Sequence, residues 1–251
     1  MHKRLIAIAA VALTSFTLSV SAAEAAKPKK INVLILTGDD VSVHPWREVS
    51  QGTRDLLQAS GKFEVKICED TGILESTTAL KRYDVVYMAM YNAKTPTLSD
   101  SAKQNLIEYI KGGKGFVLSH LSSGSFKEWD EFRKLSGRYW VFGKGNSGHG
   151  PRSVFKVKIA NANHPITQGV QDFETDDELY ARMQGDAPIT VLATADSDWS
   201  KQTEPLAFTV EYGAGRVFHH TFGHDGKALA NSNLQKLLQN GTQWAATGKV
   251  E

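Results

Sequence analysis

The sequence has a single cysteine, Cys68, in 251 residues, which excludes an intrachain disulfide. No charge of one sign dominates: 29 lysines and arginines meet 27 aspartates and glutamates, for a net charge of +2. The two signs are interspersed, and no basic patch carries interleaved aromatics, so the footprint expected of a nucleic-acid partner is missing. Beyond the first 22 residues no apolar run is long enough to span a bilayer. No His-Glu-x-x-His motif occurs, so any metal site must be assembled from separated loops. There is no internal repeat, no low-complexity tract and no linker rich enough to divide the chain. One domain over residues 31–248 is expected, after a polar lead-in at 23–30.

The start of the chain has a pattern of its own. His2, Lys3 and Arg4 are followed by a mostly apolar stretch from Leu5 to Val20, then by small residues at Val20-Ser21-Ala22. This reads as a cleaved signal peptide over 1–22. Thr14, Ser15, Thr17 and Ser19 interrupt the stretch and argue against an anchor, and no lipobox cysteine is present. The expected location is therefore periplasmic or secreted, with no membrane contact after cleavage.

Two kinds of periodicity alternate in the rest. Ile31–Leu36, Phe63–Cys68, Tyr83–Met90 and Phe116–Leu118 read as strands, the first and third as nearly continuous apolar runs suited to a buried parallel sheet. Helices are predicted at 46–60, weakly at 74–80, at 99–111 with Ser99 as cap, and at 126–135. The order β-α-β-α-β-α-β implies a sheet with helices on both faces. Further strands are predicted at 153–159, 190–195, 206–212 and 215–222, the last two joined by a Gly213-Ala214-Gly215 turn, and a helix at 231–246 closes the chain. Residues 137–150 read as a glycine-rich loop and Asp176-Asp177-Glu178 as an acidic turn. Cys68 is expected to be a buried small residue.

Seven histidines lie beyond the leader, and their placement matters more than their number. His44, His120 and His224 each follow a predicted strand. In a parallel sheet such loops gather along one edge, where open α/β sheets bind ligands. His120, Glu178 and His224 are the candidates for acid/base catalysis. His44, Trp46, Asp177, Tyr180 and His149 are candidate substrate contacts. Each has a plainer reading: His44 could cap the following helix, Asp177 could belong to a solvated turn, the tryptophans could be core, and His149 could sit on a mobile or merely superficial loop. His164 beside Pro165 reads as a turn residue. One of His219 and His220 is expected to face the core. The same His120, Glu178 and His224 would suit a divalent metal such as zinc, although no cofactor follows firmly.

Gly38 through His44-Pro-Trp-Arg47, Tyr83-Asp-Val-Val86, Gly113-Lys-Gly-Phe-Val-Leu-Ser-His120, His164-Pro-Ile-Thr167, Asp177-Glu-Leu-Tyr180, Gly213-Ala-Gly-Arg-Val217 and Gly223-His224 occur in one order along the chain. As an ordered set they resemble the ThuA-like (trehalose-utilisation) domain, a branch of the class I glutamine amidotransferase-like superfamily. The resemblance implies a three-layer α/β/α, flavodoxin-like fold with a mainly parallel sheet. It also implies a small carbohydrate ligand, a glycoside or a keto-sugar, that is cleaved or rearranged. In the amidotransferases a nucleophilic cysteine occupies the elbow where His120 stands, so thiolate chemistry is not available here. Two alternatives stay open, a non-catalytic sugar-binding protein and a metal-dependent hydrolase or isomerase using the same residues. A homo-oligomer is also possible.

Overall fold

In the computed structural model, residues 29–38, 41, 44–92 and 97–251 are described. The predicted signal peptide lies outside them. The elements, in chain order, are β1 (Ile31–Leu36), α1 (Trp46–Ala59), β2 (Phe63–Cys68), α2 (Thr77–Leu80), β3 (Val85–Met88), α3 (Asp100–Lys111), β4 (Gly115–Ser119), α4 (Asp130–Ser136), β5 (Ser153–Ile159), β6 (Phe173–Asp177), β7 (Thr190–Ser197), β8 (Gln202–Tyr212), β9 (Gly215–His220) and α5 (Ser232–Thr247).

All nine strands join one sheet in the order β2-β1-β3-β4-β9-β8-β7-β5-β6. The run β2-β1-β3-β4-β9 is parallel throughout. From β9 outward every pairing is antiparallel. Four successive reversals bring β6 back to the direction of β9. The carboxyl ends of β1, β4, β9 and β6 therefore share one edge.

The inner parallel strands β1, β3, β4 and β9 are buried on both faces, which suits their apolar runs. On one face Val33, Ile35, Tyr87, Val117 and Phe218 pack against Trp46, Val49, Leu56 and Leu57 of α1 and Leu234, Leu237 and Leu238 of α5. On the other, Leu34, Leu36, Met88, Phe116 and Leu118 meet Leu106, Ile107 and Ile110 of α3 and Phe132 and Leu135 of α4. Each large side chain so buried is worth about 1.5–3 kcal/mol of transfer free energy. Helix α5 lies unusually close to the sheet. A Cβ on Gly115 would come within 2.6 Å of the Ala245 backbone, and one on Gly241 would overlap the Phe218 ring.

The caps follow the sequence: the Ser99 hydroxyl accepts from Ala102 N at 3.1 Å to start α3, and Gly61 and Gly113 take positive φ just beyond helix ends. Several expectations need correction. The helix predicted at 126–135 begins only at Asp130, because a 3-10 turn at His120–Gly124 and a positive φ at Phe126 intervene. Asp176 and Asp177 of the predicted acidic turn are the end of strand β6, whose residues alternate between buried and exposed, and Glu178 follows it. Cys68 is half-buried, since β2 is an edge strand, and it lies against the Asp70 carbonyl at 3.3 Å. His219 and His220 are both fully buried, as strand β9 is covered on both faces.

Candidate functional site

Four strand ends build the site. His44 follows β1, His120 caps β4, Glu178 follows β6 and His224 follows β9. β6 is the far edge of the sheet, yet Glu178 Oε2 lies 3.4 Å from His120 Nε2 at the sheet's centre. The antiparallel extension must therefore curl back over the carboxyl edge.

Two sets of contacts hold that curl. The fully buried Asp177 carboxylate accepts from Gly223 N at 2.7 Å, His224 N at 3.2 Å and Glu178 N at 2.8 Å. Burial pushes this carboxyl above the ordinary range, while His120 and the three N–H donors pull the other way. Arg152, at the start of β5, reaches Asp225 at 2.5 Å and Asp176 at 3.2 Å. Together these contacts tie the end of β6 to the loop after β9.

His120 sits at the tightest point. Its φ of 50° is left-handed, a conformation that costs a non-glycine residue about 1 kcal/mol or more and clusters at functional sites. Its Nδ1 lies 2.7 Å from the Thr221 carbonyl. A carbonyl only accepts, so Nδ1 carries the proton and donates. Nε2 is then the bare nitrogen of the neutral ring, and the Tyr180 hydroxyl donates to it at 2.8 Å. Tyr180 also stacks on the ring, with centroids 4.3 Å apart. Burial holds the phenol far above its usual range.

Glu178 is the hub. Its Oε2 lies 3.2 Å from His224 Nδ1 and its Oε1 lies 3.6 Å from His149 Nε2. Burial raises this carboxyl, but the imidazoles of His120, His149 and His224 outweigh it and lower it to about 2. His44 is buried, and its ring stands edge-on to both His120 and His224 at 4.9 Å between centroids. Burial first, and then the neighbouring His120, lower His44 to about 3. One candidate ligand atom from each of His44, His120, Glu178 and His224 lies within 4.8 Å of the other three.

The structure thus brings His120, Glu178 and His224 together, as the strand-end argument expects, and draws in His44 and His149. His149 is the most open imidazole. Its side chain is 31% exposed, and its Nδ1 donates to the Gly150 carbonyl at 2.6 Å, leaving Nε2 toward Glu178. Two expected ligand contacts stand elsewhere. Trp46 is fully buried behind His44, 5.6 Å between ring centroids, as part of the α1 core. Asp177 has no exposed surface and spends its oxygens on backbone N–H groups. Sequence reasoning missed Thr221, which orients His120, and Arg152, which secures the curl. Neither belongs to a spaced motif. Trp140, in the glycine-rich loop 137–150, packs on Tyr180 at 4.4 Å and carries a buried indole N–H with no partner among the described residues.

The family described as "Trehalose utilisation" (ThuA) matches residues 32–245. Among solved structures, a ThuA-like protein from Parabacteroides merdae is 28% identical over 88% of this chain and 92% of its own, with a TM-score of 0.76. A ThuA-like protein from Bacteroides uniformis is 17% identical over 90% of this chain and 95% of its own, at 0.68. A glutamine amidotransferase from Thermotoga maritima shares the fold at 13% identity and 0.51, over 88% of this chain and all of its own. No curated protein matches the chain.

Proposed function

We propose, from the premise that the chain belongs to the ThuA trehalose-utilisation family, that it is an exported carbohydrate-active enzyme. In this reading it cleaves or rearranges a glycoside or keto-sugar by histidine and carboxylate acid/base chemistry. One observation carries the reading: three imidazoles, those of His120, His149 and His224, lie within 3.6 Å of the single Glu178 carboxylate at the carboxyl edge of the sheet. A site that only bound sugar would need hydrogen-bonding amides and exposed rings. Converging titratable groups serve proton transfer.

The geometry divides the roles. His120 is wholly buried, so it acts on Glu178 and Tyr180 rather than on substrate. His149 and His224 are the accessible imidazoles. With a ketone in the ring, the neighbouring C–H is acidic enough for an imidazole to remove its proton. The electron pair forms a carbon–carbon double bond as the glycosidic oxygen on the next carbon leaves with a proton from the second imidazole. The carboxylic acid pair of ordinary glycosidases is then not needed.

A groove of about 400 Å³ is a candidate place for a saccharide ligand. Gly150 and Leu179, the neighbours of His149 and Glu178, line it together with Phe155, Asp196, Asp198 and Trp199. The Trp199 ring is 40% exposed, and an aromatic face suits the apolar face of a pyranose.

The test is turnover of glucosides and their 3-keto derivatives by the wild type and by Glu178→Gln, with folding followed by circular dichroism. The expected result is turnover in the wild type and a loss of at least 100-fold in the folded variant. Binding without turnover on every sugar would move the assignment to a non-catalytic sugar-binding protein.

A further inference from the structure

Three polar atoms at this site are buried and have no hydrogen-bond partner among the described residues: His44 Nδ1, Glu178 Oε2 and His224 Nδ1. The last two are 3.2 Å apart and still do not form a hydrogen bond. Buried polar atoms of this kind are rare and call for an explanation. The His120 tautomer sharpens the question. With its proton on Nδ1 toward Thr221, Nε2 stands 3.4 Å from the same Glu178 oxygen and accepts from the Tyr180 hydroxyl, a bond that a metal ion at this point would replace. His44 and His224 bring two further imidazoles to the same point.

We infer that His44, His120, His224 and Glu178 form a binding centre for a divalent first-row transition metal ion, with zinc as the probe of choice. Zinc binds imidazole nitrogen and carboxylate oxygen at about 2.0–2.2 Å, so neighbouring ligand atoms of a tetrahedral site sit about 3.3–3.5 Å apart. The separations of 3.2 and 3.4 Å around Glu178 Oε2 are close to that edge. The widest separation, 4.8 Å, calls for a small inward movement. Three imidazoles and one carboxylate are a donor set suited to zinc, iron or nickel rather than to magnesium or calcium, which favour oxygen ligands. The Thr221 carbonyl supplies the outer hydrogen bond that metal-binding histidines commonly make.

The inference deepens the proposed function, on which the ion's chemical role rests. A bound ion would polarise a substrate carbonyl or activate water. His149, outside the ligand set and the most open imidazole, is then left as the proton carrier.

The test strips the purified protein with a chelator, titrates it with zinc under calorimetry, counts bound zinc by mass spectrometry and records the cobalt(II) absorption spectrum. One zinc per chain is expected. His224→Ala and Glu178→Gln should each weaken binding by more than about 100-fold, beyond the loss typical of an outer-layer partner, while His149→Ala keeps the full stoichiometry. His224 and Glu178 are partly exposed, so both variants should remain folded by circular dichroism. Absence of stoichiometric zinc in the wild type, or unchanged affinity in both folded variants, would overturn the centre. Undiminished turnover of sugar by stripped, metal-free protein would overturn the ion's catalytic role and leave the acid/base reading standing. Tight zinc binding with no turnover on any sugar would uphold the centre and remove the catalytic reading instead.

Discussion

Asp177→Ala tests how the site is held together. The wild-type carboxylate satisfies three backbone N–H groups, on Glu178, Gly223 and His224, at 2.7–3.2 Å and with no solvent access. Alanine leaves all three without a partner. An orphaned buried donor costs about 1–3 kcal/mol. The three losses do not simply add, because they share one loop, and removing a buried charge returns part of the cost. A net destabilisation of about 3 kcal/mol follows. For a chain of this size that lowers Tm by about 6–12 °C. Asp177→Asn should fall between: an amide oxygen at the Oδ1 position keeps the bonds from Glu178 and His224, but the NH2 group faces the Gly223 N–H. Differential scanning calorimetry gives the Tm, and zinc titration of the same samples reads the site. Because Asp177 joins the Glu178 strand to the His224 loop, affinity should drop together with stability. A Tm within about 1 °C of the wild type, or a stability loss with unchanged affinity, would refute the reasoning.

Tyr180→Phe removes the hydroxyl that donates to His120 Nε2, so about 1 kcal/mol of stability should be lost by urea denaturation. Gly241→Ala forces a methyl into the Phe218 ring, an overpacking cost of about 1–3 kcal/mol visible as a lower Tm with zinc stoichiometry unchanged. His219 is fully buried, accepted by no solvent, and burial lowers it from 6.5 to about 4, against a bond to the Ser136 carbonyl. The folded state thus holds this ring neutral where the unfolded chain would take up a proton. Its stabilising effect is whole above pH 6.5 and is lost as pH falls toward 4, up to about 3 kcal/mol in all. His219→Phe should make the stability profile less steep across that window, the remainder coming from His44 and His220, and an unchanged slope would count against the assignment.

The parallel half of the fold is legible in the sequence because strands buried on both faces must be apolar throughout. β1 and β4 announce themselves in this way, and the placement of His44 and His120 follows from them. β6 does not. Its Phe-Glu-Thr-Asp-Asp composition has the alternation of a strand but the residue types of a turn. The meeting of Glu178 with His120 depends on a curl of the sheet set by Asp177 and Arg152, contacts that no local pattern encodes. The same holds for the left-handed backbone at His120. Trp46 reads equally as a ligand platform or as core from its spacing. Only the burial of α1 against the sheet decides for core.

The pairing of β5 has a consequence for the order in which the molecule comes apart. β5 is joined to β7 over only Lys158–Thr194 and Ile159–Ala193, whereas β5 and β6 share five register pairs. The β5–β6 hairpin is therefore a small cooperative unit on a short hinge, and it carries Glu178, while the imidazoles of His44, His120 and His224 belong to the parallel body. Units attached in this way open at lower free energy than the body they rest on. Amide hydrogen exchange should be fast in β5 and β6 and slow in β1, β3 and β4, and zinc should slow the hairpin selectively, because the ion would bind both sides of the hinge at once.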